Sequence, residues 1–221
     1  MAASTSCTSP YTCLSADADG YIAHADSSHA GVRDASTGTT ANSTAAYYAN
    51  AITYMYAKGA YNIIRTFIVF DTSGISNTVT AVNLYIRGLH NSSGDVIVVK
   101  STWNGKSTLA TSNFDSLDFS TPYSSEVSTW STSTSQNEIT LNAQARADMQ
   151  SNDYISIALI NHTYDYTDTS STNTEANGMY FSEQSGTSSD PELGYILGPA
   201  DSPITLSSGV ITLKNGSITV G

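Results

Sequence analysis

From Gly20 onward, the chain consists of short segments in which apolar residues either alternate with polar ones or run continuously, separated by Gly, Asn, Ser and Asp. Period-two alternation is typical of β-strands with one face in a core, and these separating residues are typical of turns. The β-branched and aromatic content of the segments favours strand over helix. The pattern predicts strands at 21–24, 65–70, 81–87, 95–100, 138–141, 154–160, 178–182 and 193–197.

One segment has helical periodicity instead. Asn142 is a suitable N-cap, and Leu141, Ala145 and Met149 then lie on about one face of the helix, with polar residues elsewhere. We expect one short helix at about 142–151. The predicted fold class is therefore all-β: an antiparallel jelly-roll β-sandwich with one short helix, followed by a C-terminal β-meander.

The chain divides into three parts. Residues 1–16 are small and polar without a period and are interpreted as an N-terminal arm, and residues 17–198 as the sandwich. In 199–221, I-T-(L/V) recurs every seven residues, with Ser-Gly and Asn-Gly as turn signals. A small isolated sheet is marginal in water, so this repeat is predicted to pack on the main domain or on another copy. Its shared apolar face, the predicted assembly surface, comprises Ile204, Leu206, Ile211, Leu213, Ile218 and Val220.

The amino-acid composition excludes some classes of binding partner. Only 12% of the 221 residues are charged and the formal net charge is -11, whereas nucleic-acid binding needs clustered Lys and Arg. DNA, RNA and anionic membranes are therefore not expected as partners. The first twenty residues lack the basic and apolar regions of a signal peptide, so the sequence does not predict Sec-type export.

The two cysteines leave an alternative open. Cys7 and Cys13 flank Pro10 and could close a small disulfide loop. Synthesis in a reducing cytoplasm favours two free thiols instead. Two cysteines without a matching histidine cluster do not make a four-ligand zinc site.

Acidic residues near the start suggest a structural ion. Asp17 and Asp19 stand beside Gly20, with Asp26 close behind, and Ca²⁺ takes carboxylate and carbonyl oxygens from loops. These three residues are the candidate calcium ligands, and no other cofactor is expected. His24, Asp26 and His29 form an H-x-D-x-x-H pattern that is more typical of ordinary polar residues at the end of a strand.

Aromatic residues in polar contexts suggest a sugar-binding surface. Trp103, Trp130, Tyr164 and Tyr166 are the candidate ligand-binding residues, because exposed aromatic faces stack on sugar rings. Packing inside the protein is the alternative interpretation of the same residues. The sequence contains no G-x-S-x-G nucleophile elbow, and we predict that the protein is not an enzyme.

The sequence RTFIVFDTSGI at 65–75, followed by VTAVNLYI at 79–86, resembles the signature of the disaggregatase-related, or DNRLRE, domains. The resemblance continues in 154–160 and in MYFSE at 179–183 with PEL at 191–193, and it covers roughly residues 17–197. It implies a jelly roll similar to carbohydrate-binding modules. The opening DGYI at 19–22, with RDA at 33–35, is similar to the form of this domain in bacteriophage structural proteins.

These observations lead to two hypotheses. The first is a non-enzymatic virion structural protein, such as a capsid decoration, head-fibre or tail-associated subunit, which acts by display and attachment. Its partners would be other virion proteins, sister copies and surface glycans. The alternative is a carbohydrate-binding module that recognises polysaccharide through loop Trp and Tyr residues. The first hypothesis places the protein in the virion and the alternative places it outside the cell.

Overall fold

The computed structural model describes residues 7–132 and 136–199. Antiparallel strands dominate this part of the chain, as the alternating sequence pattern predicts. The strands are β1 (Thr12–Ser15), β2 (Ala18–Asp26), β3 (Thr40–Asn42), β4 (Tyr47–Ala57), β5 (Ala60–Asp71), β6 (Val79–Ile86), β7 (Gly88–Ser92), β8 (Val96–Ser101), β9 (Leu117–Pro122), β10 (Asn137–Thr140), β11 (Tyr154–Asn161), β12 (Thr174–Tyr180) and β13 (Glu192–Leu197).

Two sheets contain these strands. The small sheet has the order β1-β13-β6-β10, and the large sheet follows β7-β12-β4-β5-β11-β8-β9, with β2 pairing with both β5 and β3. The long strand β5 is the centre of the large sheet, since it pairs with β2, β4 and β11. The predicted antiparallel β-sandwich is confirmed.

The large sheet is covered on both faces. Ile68 and Phe70 point into the core between the sheets, whereas Phe67 and Val69, which alternate with them on β5, point into a second apolar cluster on the outer face. Period-two side-chain alternation explains how one strand serves both clusters. It also explains why 67–70 is a continuous apolar run, since a strand buried on both faces needs no polar positions.

The predicted helix is confirmed as α2 (Ala143–Ser151). The Asn142 side chain accepts hydrogen bonds from the backbone N–H groups of Gln144 and Ala145, which satisfies donors that have no partner within the helix. Ala145 and Met149 are buried in the core between the sheets. A second helix, α1 (His29–Arg33), was not predicted; it is a single short turn capped by Ser28.

The predicted strands all fall within or largely overlap observed strands, but the pattern missed β1, β3, β4, β7 and β9. The longest of these is β4, in which Ala51, Ile52, Thr53 and Tyr54 are consecutively buried. Its small and hydroxyl-bearing residues do not alternate clearly with polar ones. Pairing with β5 and β12 supplies the backbone partners that fix this strand.

The N-terminal segment is partly built into the sandwich. Residues 12–15, which were predicted to belong to an arm, form β1 and pair with β13. Cys7 and Cys13 form a disulfide, with their Cα atoms 5.9 Å apart, so the interpretation as free thiols does not hold in this structure. The predicted C-terminal meander lies outside the described residues. Within the described ranges, no helix is long and apolar enough to cross a membrane.

Candidate functional site

The two tryptophans proposed to bind sugars are buried. Trp103 and Trp130 are each 3% exposed. The Trp103 indole N–H donates to the Ser107 carbonyl oxygen at 3.2 Å, and that of Trp130 donates to the Gly178 carbonyl oxygen at 3.0 Å. Each indole therefore has an apolar environment and a satisfied donor. Neither ring presents a face on which a sugar could stack, and the sequence-based assignment of these residues is corrected accordingly.

The two candidate tyrosines also pack inside the protein. Tyr164 is 6% exposed and lies against Tyr54, with the ring centroids 4.5 Å apart. Its hydroxyl accepts a hydrogen bond from the Asn173 side chain. Tyr166 is half-buried and stacks on His162. These contacts hold the polar segment 161–177 in place. Both tyrosines therefore pack within the protein and stabilise this segment.

The exposed aromatic surface lies elsewhere, where β4 and β12 pair. Tyr47 is 58% exposed and faces Tyr180 at a ring-centroid distance of 6.0 Å. The Arg87 guanidinium lies 5.2 Å from the centre of the Tyr180 ring. Sequence reasoning missed this surface because these residues come together only through strand pairing.

A groove of about 530 Å³ lies between residues 124–129 and β10. Hydroxyl-bearing residues, including Ser124, Ser128 and Thr140, form much of its lining. The described residues that line it include no aromatic side chain. The groove can offer hydrogen bonds to a polar ligand but no stacking platform for a sugar ring.

Asp19 is the most perturbed carboxyl group described. It is 1% exposed; its Oδ2 accepts a hydrogen bond from the Ser182 backbone N–H at 2.9 Å, and its Oδ1 has no hydrogen-bond partner. Burial raises the pKa of Asp19 to about 8, the Ser182 N–H partly opposes this shift, and the nearby Glu183 carboxylate adds to it. We therefore expect Asp19 to be largely protonated at neutral pH.

The predicted calcium ligands do not form one set. Asp19 and Asp26 lie at opposite ends of β2, and seven residues of extended strand span about 23 Å. Asp26 instead accepts hydrogen bonds from Ser28. Asp17, Asp19 and Glu183 do line one cavity, of about 280 Å³, and their carboxylate oxygens are suitable donors for Ca²⁺. Lys106 lines the same cavity and would oppose a cation there.

Because the pKa of Asp19 is raised in the folded protein, the free energy of unfolding should fall as the pH rises. Between its ordinary pKa of 3.8 and its folded value of about 8, the folded protein retains a proton that the unfolded chain releases. Rising pH therefore favours unfolding, by up to about 1.4 kcal/mol per pH unit. Asp19→Asn should remove this component. Chemical denaturation of both proteins between pH 4 and 8 measures it.

Asp17→Asn is the matched control, because Asp17 is exposed on the same cavity. Its stability should follow the wild-type pH dependence. An Asp19→Asn protein with the wild-type slope would show that Asp19 does not hold a proton in the folded state. Repeating the series with CaCl₂ shows whether an ion changes the slope.

The H-x-D-x-x-H residues do not converge on a shared ligand. His29 Nε2 lies 3.0 Å from the Tyr164 carbonyl oxygen, and its Nδ1 lies 3.6 Å from Asp168. The His24 ring packs near Phe114. His29 thus connects α1 to the 162–166 turn, in agreement with the interpretation as ordinary polar residues.

Comparison with known proteins finds no relative of this chain. No family model matches the chain, and the search of curated proteins finds no match. The resemblance to DNRLRE domains therefore depends on the sequence motifs alone.

Proposed function

We propose that this chain is a non-enzymatic virion structural protein, such as a capsid decoration, head-fibre or tail-associated subunit, that acts by display and attachment. The observation that carries the proposal is the position of the two ends of the sandwich. The first strand that the structure describes, β1, pairs antiparallel with the last one described, β13, so that Thr12 lies opposite Tyr195. The chain therefore enters and leaves the sandwich at the same edge.

This arrangement suits a module that is held through its terminal segments. Cys7 packs near Gly194 of β13, and its backbone N–H donates to Glu192 Oε2 at 3.2 Å. Cys7, at the start of the described residues, thus lies against β13, the last strand that the structure describes. A partner or a sister copy that binds there would leave the loops on the outer side of the large sheet available for display.

The surface and the disulfide are compatible with this proposal. A net charge of -11 carried on a chain with few charged residues limits binding to phosphate-rich partners. Disulfides persist in oxidising surroundings, such as those of a released particle or an extracellular protein.

In the proposed arrangement, surface glycans would contact the displayed face weakly, and many copies would raise the affinity. The exposed Tyr47, paired with the half-buried Tyr180, is the aromatic surface available for such contacts.

Deleting residues 204–221 should reduce assembly without unfolding the sandwich. The deleted segment carries the repeated Ile, Leu and Val positions, whereas the described core lies between residues 7 and 199. We expect an unchanged thermal unfolding transition, a smaller mass by light scattering and fewer copies per major capsid protein in purified particles. Quantitative mass spectrometry measures the copy number.

Two double variants test whether assembly depends on the apolar side chains of this segment or only on its length. Ile211→Ser with Leu213→Ser should reproduce the loss of assembly. Thr205→Ser with Thr212→Ser, at positions that alternate with the apolar ones in the sequence, should not. Unchanged mass and copy number after the deletion would contradict assembly through this segment. Absence of the wild-type chain from particles would contradict the proposed function as a whole.

A further inference from the structure

Three side chains of metal-binding type meet at one end of the large sheet. Asp95 immediately precedes β8, and His162 immediately follows β11, whose Asn161 pairs with Val96. Glu126 lies beside them because Val127 forms a backbone bridge to Val96. The positions of all three residues are thus set by backbone hydrogen bonds.

The distances between their ligand atoms suit a shared ion. His162 Nδ1 lies 3.6 Å from Asp95 Oδ2 and 3.6 Å from Glu126 Oε2, and the three atoms lie within 4.8 Å of one another. These separations are too long for hydrogen bonds. Two ligands with bonds of about 2.0–2.2 Å to one zinc ion, at angles near those of a tetrahedron or somewhat wider, lie about 3.3–3.6 Å apart.

The His162 ring nitrogen also lacks any other partner. Nδ1 is shielded from solvent and makes no hydrogen bond. An imidazole nitrogen in this position normally finds a donor or acceptor, because an unsatisfied buried polar atom is costly. A cation between the imidazole and the two carboxylates would satisfy it.

Neighbouring groups hold these ligands in place. Asp95 Oδ1 accepts hydrogen bonds from the Thr163 backbone N–H and the Asn161 side chain, both at 3.2 Å, and Asp95 Oδ2 accepts one from the Thr163 hydroxyl at 2.5 Å. The His162 ring stacks on Tyr166, with the ring planes 20° apart. Such contacts orient the ligands of metal sites and reduce the reorganisation that binding requires.

We propose that Asp95, Glu126 and His162 bind one divalent transition-metal ion, with zinc as the best-fitting candidate. Imidazole with carboxylate is a common zinc donor set, whereas calcium takes oxygen ligands and does not use an imidazole nitrogen. Three protein ligands leave a fourth position for water or for a group from a bound partner. This inference is independent of the proposed virion function.

Zinc binding to the full chain, stripped of metal with a chelator and titrated with ZnCl₂, tests the proposal. We expect one ion per chain by calorimetry and a higher melting temperature with zinc. Glu126→Gln removes a carboxylate that is 43% exposed, and it should weaken binding at least tenfold without loss of the fold. His162→Gln should do the same. Substituting Co²⁺ for zinc should give visible absorption that both variants lose.

Matched variants control for general surface binding. His90→Gln and Asp115→Asn change an exposed histidine and an exposed aspartate outside the cluster, and both should keep the wild-type affinity. The proposal is overturned if no saturable site for one zinc is found, or if binding survives in both cluster variants. Equal affinity for CaCl₂ would overturn the assignment to a transition metal.

Discussion

Asp165→Ala should lower the free energy of unfolding by about 3–5 kcal/mol, since it removes one partner of a buried ion pair. Asp165 and Arg65 are both 0% exposed. Arg65 Nε donates to Asp165 Oδ2 at 2.8 Å, and Arg65 Nη2 donates to Asp165 Oδ1 at 2.7 Å. The alanine variant would leave a guanidinium buried without its counter-charge.

The position of this ion pair explains the size of the expected effect. Arg65 also donates to the carbonyl oxygens of Phe114 and Arg33, and its guanidinium lies 4.1 Å from the centre of the Phe114 ring. One side chain therefore connects β5 to α1, to the 111–113 turn and to the 162–166 turn. Its loss should loosen the layer that covers the outer face of the large sheet.

Chemical denaturation monitored by tryptophan fluorescence measures the change. Asp168→Asn is the matched control, because Asp168 lies in the same loop but its side chain is 57% exposed, and exposed ion pairs contribute little. Asparagine tolerates the positive φ of 57° at this position. The double variant Arg65→Met with Asp165→Leu should be less destabilised than Asp165→Ala, because no charge is left unpaired. An Asp165→Ala protein as stable as Asp168→Asn would contradict this account of the ion pair.

Trp103→Ala and Trp130→Ala should each lower the free energy of unfolding by about 3–5 kcal/mol, which is the usual cost of removing a large buried aromatic side chain. Trp130 belongs to the core between the sheets, and Trp103 belongs to the outer cluster. Each substitution would leave a cavity and an unpaired backbone carbonyl. Thermal and chemical denaturation measure the loss.

Tyr47→Ala provides the comparison. Tyr47 is also aromatic, but its exposure predicts a change of only about 0.5 kcal/mol. If the tryptophan variants were as stable as Tyr47→Ala, the indoles would not be packed as the structure describes. A glycan array with the same proteins shows whether any aromatic side chain contributes to sugar binding.

The sequence by itself determined the fold class and most of the central strands. Alternation and continuous apolar runs identified β5, β6, β8 and β11, because burial on a sheet face imposes a local period of two. The helix α2 was also predictable, since an N-cap and the spacing of Leu141, Ala145 and Met149 are local features. The strands that the pattern missed are short or contain many small and hydroxyl-bearing residues, and partner strands fix them more than composition does.

Only the tertiary structure decided which residues within polar stretches of the sequence are buried. Trp103 and Trp130 stand among Ser, Thr and Asn in the sequence, a context that suggested exposed loops. In the fold, the backbone carbonyl oxygens of Ser107 and, in β12, of Gly178 accept their indole hydrogens, while the rings fill apolar clusters. Amphipathic side chains allow this arrangement, so local polarity does not report their exposure.

The tertiary structure also decided the chemistry of the charged groups. Asp19 was predicted to share an ion with Asp26, but strand geometry separates them, and the return of the chain after β12 places Glu183 beside Asp19 instead. Asp95, Glu126 and His162 are distant in sequence and meet only because β8 pairs with β11 and bridges to Val127. Sequence periodicity specifies which face of a strand is buried, whereas strand pairing between distant segments determines which side chains become neighbours.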